Sequence, residues 1–336
     1  MTEALECPPQ TVEPIEFVAD LLDSVAAPDP GARTVTDPRV AAELVAGETR
    51  SRVRAVLEHV GGTPVVLLSG GVDSIYVAAV AAELGGAPRA VTVVTDGASD
   101  EDHASAAAEA LGLRHDIVRL TRDDVIDLAR DTIIRLNTSE LWEVTAGIPL
   151  LAARRVLDAI PDGGAILTGS GADAILAGGR SLSYPLESDS ARTELDAMIR
   201  AETAANFRRD RLVPDFYPAL LEDKASRLVH VFQTVRWWRL AETLAPPALF
   251  GTRDDHPIDK LALRLACEAQ LPPTAAHLAW SVKDPIQRST GLMSVLFTAA
   301  RTYAATLPGA DTYTNPLTED PEAIATRFYL DILGRR

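Results

Sequence analysis

Residues 63–79 read Thr63-Pro-Val-Val-Leu-Leu-Ser-Gly-Gly-Val-Asp-Ser-Ile-Tyr-Val-Ala-Ala79. The apolar, β-branched run at 65–68 predicts a short buried strand. It breaks at Ser69-Gly70-Gly71 and resumes as a helix from about Asp73, with Ile75, Val77, Ala78 and Ala82 on one face. A strand that turns through Ser-Gly-Gly into a helix aims backbone N–H groups and the positive end of the helix dipole at one spot, which predicts a phosphate site. The loop is not of the GxxxxGK[ST] type, because it holds no lysine. Read without a ligand, the same residues make an ordinary βα turn, with glycine supplying positive φ and Asp73 capping the helix.

Working outward, residues 41–59 predict a helix that feeds this strand. Residues 1–45, rich in Pro, Ala and Asp, read as an N-terminal extension with an amphipathic patch at 15–26. Downstream come predicted strands at 90–94 and 115–120, a polar turn at 96–101, and helices at 102–111, 122–136 and 148–160. The alternation predicts an α/β fold, a parallel sheet with helices on both faces. A further strand at 165–168 runs into a second glycine-rich turn, Gly169-Ser-Gly-Ala-Asp173-Ala-Ile-Leu-Ala-Gly178-Gly179. Ligands of open α/β sheets bind at the carboxyl ends of the strands, so Asp73 and Asp173 are expected to face one crevice. Two carboxylates beside phosphates suit Mg²⁺, although an Asp in such a turn also serves as a cap. Residues 181–211 read as a polar loop or mobile insert. Strand signals then stop, and helical patterns at 225–244 and 258–269 predict a mostly helical C-terminal part.

Composition narrows the partners. A net charge of −16 with pI near 4.8 argues against a nucleic-acid partner. Cys7 and Cys267 show neither disulfide nor zinc spacing. No run approaches the roughly 18 apolar residues of a membrane span, and the acidic N-terminus lacks signal-peptide features, so no membrane partner and a cytoplasmic location are expected. Only Lys224, Lys260 and Lys283 are lysine among 32 basic residues, which makes each a position to examine.

The segment Ser69-Gly-Gly-Val-Asp-Ser74 resembles the signature of the PP-loop ATP pyrophosphatases, and with Thr168-Gly-Ser-Gly-Ala-Asp173 the chain resembles the synthetase domain of the asparagine synthetase class, which includes the β-lactam synthetases. The likeness is good over residues 45–180 and weaker over 215–295. It implies ATP and Mg²⁺ as cofactors. ATP would be bound by Leu68, Ser69, Gly70, Gly71, Asp73, Ser74, Thr95, Gly169 and Ser170, and the metal by Asp73 and Asp173. Around Lys283 the chain resembles the family's lysine loop, whose ammonium stabilises developing negative charge; the plain alternative is a solvated surface lysine. Glu242 resembles the glutamate of a Tyr/Glu acid–base pair, but the tyrosine falls at Ser170, and Glu242 also reads as a helix-surface carboxylate. Trp237-Trp238 reads as a pocket wall or as core.

The resemblance further implies three regions: the extension at 1–45, an ATP-binding core at 46–180 and a substrate-binding part at 181–336. Residue 2 is Thr rather than the cysteine of a glutaminase, so no built-in ammonia source is expected. The implied activity is an ATP-dependent amide-forming ligase that adenylates a carboxylate, releasing pyrophosphate, and transfers the acyl group to an amine or ammonia, in specialised metabolism such as antibiotic biosynthesis. Its substrates would be a small carboxylate and an amine, with room for a partner protein supplying ammonia or a carrier-bound substrate, and for a homo-oligomer. Two alternatives stay open: a PP-loop enzyme that activates a nucleobase or carbonyl oxygen, and a non-catalytic nucleotide-binding subunit of a partner ligase.

Overall fold

A computed structural model describes residues 27–95, 100–206, 213–281, 290–310, 312 and 314–334. The patch at 15–26 lies outside them. Helix α1 (Pro38–His59) begins at Asp37, whose side chain accepts from the N–H groups of Arg39 and Val40, with Pro38 suited to the first turn. Strand β1 (Thr63–Leu67) leads to α2 (Val72–Glu83), then β2 (Arg89–Thr95), α3 (Asp100–Ala110), β3 (His115–Leu120) and α4 (Arg122–Leu136). Helix α4 starts with a reciprocal capping box between Thr121 and Asp124. Helix α5 (Leu141–Asp158) starts seven residues before the predicted 148, because Glu140 caps it and Pro149 sits inside it rather than at its start.

Strand β4 (Gly163–Thr168) is followed by α6 (Ala172–Leu176). The polar tract then departs from expectation, since α7 (Asp189–Asn206) is an 18-residue helix. Its inward face carries Asp196 and Arg200 among Leu195 and Ile199, and these buried charges disguised the apolar period. Strand signals do not stop either. After α8 (Phe216–Leu221), β5 (Leu228–His230) pairs with β4, where a helix over 225–244 was expected. Then come α9 (Val235–Thr243), α10 (Pro246–Leu249), the hairpin of β6 (Gly251–Arg253) and β7 (His256–Ile258), α11 (Leu261–Gln270), α12 (Leu292–Ala304) and α13 (Pro321–Gly334). The C-terminal part is thus mostly helical, with β5 lent to the main sheet.

The main sheet has the order β3-β2-β1-β4-β5, with every pair parallel. Both faces are covered, as a parallel sheet requires. Val66, Ala90, Leu167 and Val229 belong to the core cluster built with α1 and α2, whereas Val65, Val91, Ile166 and Leu228 pack with Ala153 and Leu157 of α5. Trp237 and Trp238 are fully buried in the first cluster, so they are core rather than a pocket wall. The chain builds outward from β1 to β3 and returns to β4 on the other side of β1, which places a topological switch point between β1 and β4. No described helix is long and apolar enough to cross a membrane.

A buried ion network fastens the start of the described chain. Arg33 and Arg200 both bond Asp196, Arg200 also pairs with Glu242 at 3.0 Å, and Arg33 donates to the carbonyls of Ala241 and Leu244. Burial opposes the Asp196 charge, but the hydrogen bonds from Arg200 and the Asp29 N–H, with the Arg33 charge, hold its carboxyl below the usual range. Asp196→Ala leaves two buried guanidinium groups short of their partner and is expected to cost about 3–5 kcal/mol in urea denaturation. Because the folded carboxyl titrates below its unfolded value of about 3.9, the native contribution is full above that pH and is lost as pH falls through the depressed value. A cost below about 1 kcal/mol would show that the network is idle.

Candidate active site

The loops that follow β1 and β4 touch each other. A Cβ on Gly169 would stand 2.7 Å from the backbone of Asp73 and Ser74, so glycine is required for the second loop to lie on the first. The first loop is closed on itself: Ser74 Oγ accepts from the Ser69 N–H at 3.1 Å, lies 3.1 Å from Ser69 Oγ and donates to the Gly71 carbonyl at 3.0 Å. Gly70 takes φ +75°, a left-handed conformation suited to glycine, and its α-carbon faces the Asp100 carbonyl. Gly71 caps α2 without a side-chain hydrogen bond. Its first-turn N–H groups therefore have no side-chain acceptor from the cap.

Asp73 and Asp173 converge, and the group between them is Lys260, one of the three scarce lysines, to which the sequence assigned no role. Lys260 Nζ donates to both Asp73 oxygens at 2.9 Å and to Asp173 Oδ1 at 2.7 Å. The lysine side chain is 7% exposed, and the Asp173 side chain is 69% exposed toward the cleft. Burial pushes the Asp73 carboxyl above the usual range and Asp173 adds to this, while Lys260 draws it back. On Lys260 burial works against the ammonium, but the two carboxylates outweigh it and raise its pKa above the ordinary lysine value. Gly178 makes room for Asp173, since a Cβ there would collide with the carboxylate.

Lys260 is held by its neighbour. Asp259 accepts from the Gly179 N–H and, at 2.9 Å, from Arg264 on α11, which joins the second glycine loop to the turn carrying Lys260. Arg264 also donates to the carbonyls of Ala279 and Ser281. Burial opposes the Asp259 charge, but the Gly179 N–H, Lys260 and Arg264 hold its carboxyl low.

These residues line a cleft of about 1290 Å³ at the carboxyl ends of β1, β4 and β5, together with Leu68, Ser69, Gly71, Ser74, Gly169 and Ser170. On the β5 side, Gln233 Nε2 donates to Ser170 Oγ at 3.3 Å and His230 Nδ1 lies 2.7 Å from Thr168 Oγ1. Two expected residues sit elsewhere. Glu242 is taken up by Arg200 in the buried network and does not line the cleft. The Thr95 N–H and hydroxyl both donate to the Thr290 carbonyl, at 3.0 and 2.8 Å, so its polar groups tie down the start of α12. Lys283 lies outside the described residues; Ser281 and Thr290, which flank 282–289, both line the cleft.

The family model for asparagine synthase matches residues 53–304, which span both glycine loops and the turn that carries Lys260. The chain belongs to the asparagine synthase family. A carboxyethyl-arginine β-lactam synthase from Streptomyces clavuligerus is 33% identical over 142 residues, covering 40% of this chain and 27% of that protein. The solved structure of NMN synthetase from Francisella tularensis matches 50% of this chain and 74% of its own at 14% identity, with a TM-score of 0.31.

The Gly169 contact yields a direct test. Gly169→Ala is expected to separate the two loops and weaken nucleotide binding by about tenfold or more, read by equilibrium dialysis with ATP, because close packing leaves no slack for the added methyl. Gly47, in the middle of α1 with nothing near its Cβ position, is the control. Gly47→Ala is expected to leave binding unchanged. Equal binding by wild type and Gly169→Ala would contradict the tight loop contact.

Proposed function

We propose that the protein is an ATP-dependent ligase that adenylates a carboxylate and passes the acyl group to an amine or ammonia. The observation that carries this reading is the convergence of Asp73 and Asp173, from two glycine loops in contact at the switch point, beside the uncapped start of α2. The β-lactam synthase relative and the family match support the class of chemistry, and the relative's connection with β-lactams supports a place in specialised metabolism.

The Ser69–Ser74 loop and the α2 N-terminus bind the phosphates of ATP through backbone N–H groups. A carboxylate oxygen of the acid attacks the α-phosphorus, the bond from that phosphorus to the bridging oxygen breaks, and pyrophosphate leaves with its electron pair. The amine then attacks the acyl carbon, AMP departs, and the nitrogen gives up a proton. Most of the barrier falls through alignment and charge compensation, so the protein's task is to hold two substrates in register in a site that restricts water.

The residues present suit a divalent cation. Two carboxylates from different loops already share one bound positive charge, that of Lys260, and Gly178 leaves space around one of them. Asp73 and Asp173 would hold Mg²⁺, which supplies charge neutralisation to the phosphates when bound. Lys283 adds a second positive charge in this reading, consistent with the cleft position of Ser281 and Thr290. Glu242 has no part in it. Ser170 and Gln233 face the cleft as neutral polar groups on the acceptor side.

Incubation with Mg²⁺-ATP and a pool of carboxylic and amino acids is expected to yield AMP and pyrophosphate. Asp73→Asn is expected to lower the rate about 10²-fold or more. ADP as the product would rule out α-phosphate chemistry, and absence of turnover with every pool would favour a nucleotide-binding subunit.

A further inference from the structure

The two carboxylates assigned to a divalent cation already have a cation between them. Lys260 Nζ engages both oxygens of Asp73 and one of Asp173, at 2.7–2.9 Å. Several features show that this is a built position. Lys260 adopts φ +48° and ψ 35°, a left-handed conformation that a side chain bearing a Cβ enters only against steric resistance. Strain of this kind persists where the surroundings over-determine it. Here they do: Asp259, one residue before, is pinned by Gly179 and Arg264. The lysine side chain is almost fully buried, so its ammonium is not one of many solvent-exposed rotamers.

An ammonium and Mg²⁺ make incompatible demands on the same oxygens. The ammonium donates hydrogen bonds at the distances seen here, whereas Mg²⁺ draws oxygens to about 2.0–2.1 Å and repels a neighbouring positive charge. We infer that Lys260 holds the cation's place in the nucleotide-free protein, so that the site takes the divalent metal as its complex with ATP and excludes the free ion. The polyphosphate brings the negative charge that allows two positive charges to stand together, and the metal alone does not. This inference rests on the assignment of Asp73 and Asp173 as the metal-holding pair.

The test uses Mn²⁺ alone as the probe, with the full chain and no nucleotide, and reads free Mn²⁺ by electron paramagnetic resonance. Wild type is expected to show no saturable site at millimolar Mn²⁺. Lys260→Gln is expected to bind one Mn²⁺ at least about tenfold more tightly, and the added change Asp73→Asn is expected to abolish that gain. Equal affinity in wild type and Lys260→Gln would overturn the inference.

A second measurement needs no variant at Lys260. The chain has three lysines, so ¹³C-lysine labelling gives three side-chain signals, assigned through Lys224→Arg and Lys283→Arg. The Lys260 signal should stay in place with Mg²⁺ alone and move when Mg²⁺ is added with α,β-methylene-ATP. Movement with Mg²⁺ alone would refute mutual exclusion. AMP formation is scored separately: a protein that forms no AMP yet shows these metal responses refutes the ligase reading only, and one that forms AMP while wild type binds free Mn²⁺ as tightly as Lys260→Gln refutes the exclusion only.

Discussion

The bridge from Lys260 to Asp73 and Asp173 is the constraint on which the site depends. Two carboxylates brought together at the edge of a packed sheet repel each other and lose hydration, and each effect alone would drive one of them to take up a proton. One buried ammonium offsets both effects in part and ties the two loops together. Its own position depends on Asp259, and Asp259 depends on Gly179 and Arg264. A chain of charge-assisted bonds therefore runs from α11 to both glycine loops.

The sheet explains why these particular loops meet. In the order β3-β2-β1-β4-β5, only β1 and β4 are neighbours whose following segments turn away to opposite sides of the switch point. Their closeness demands residues without side chains at the point of contact, and Gly169 meets that demand against the Asp73–Ser74 backbone. Gly178 answers a different need, clearing space for the carboxylate five residues earlier. Gly169 and Gly178 are thus steric requirements imposed by the first loop and by Asp173, whereas Gly171 and Gly179 take positive φ.

The legible parts of this fold were local. Strand β3 and helix α4 fall on their predicted residues, since alternation and a Thr-Arg-Asp-Asp cap are written into contiguous sequence. The convergence of Asp73 and Asp173 could be read because each follows a strand directly. Lys260 could not, since its partners lie 187 and 87 residues away and no local pattern reports such a pairing. The available signal was scarcity: a lysine kept in a chain whose basic residues are otherwise nearly all arginine. Helix α7 was hidden for a related reason. Asp196 and Arg200 look like surface residues in sequence, and only the fold shows that they satisfy each other inside. The same network claims Glu242, which a motif comparison had placed in catalysis.

In the proposed reaction, the position of Glu242 outside the cleft changes how the acceptor half would work. A volume of about 1290 Å³ exceeds the roughly 300–1,000 Å³ of a pocket for one drug-sized ligand, which suits the two substrates of the proposed reaction. The described wall is polar and neutral around Ser170 and Gln233, whereas charge is concentrated around Lys260, Asp73 and Asp173. A carboxylate beside the acceptor would stabilise an ammonium and keep its lone pair occupied; a neutral amide hydrogen-bonds the nitrogen while exerting a weaker pull toward protonation. Such a wall suits an acceptor that arrives as the free amine or as ammonia, and it leaves loss of the nitrogen proton to a group other than Glu242. Under the proposed function the Ser69–Ser74 loop would meet the same triphosphate whatever the other substrates, whereas the surroundings of Ser170 and Gln233 would have to fit the amine.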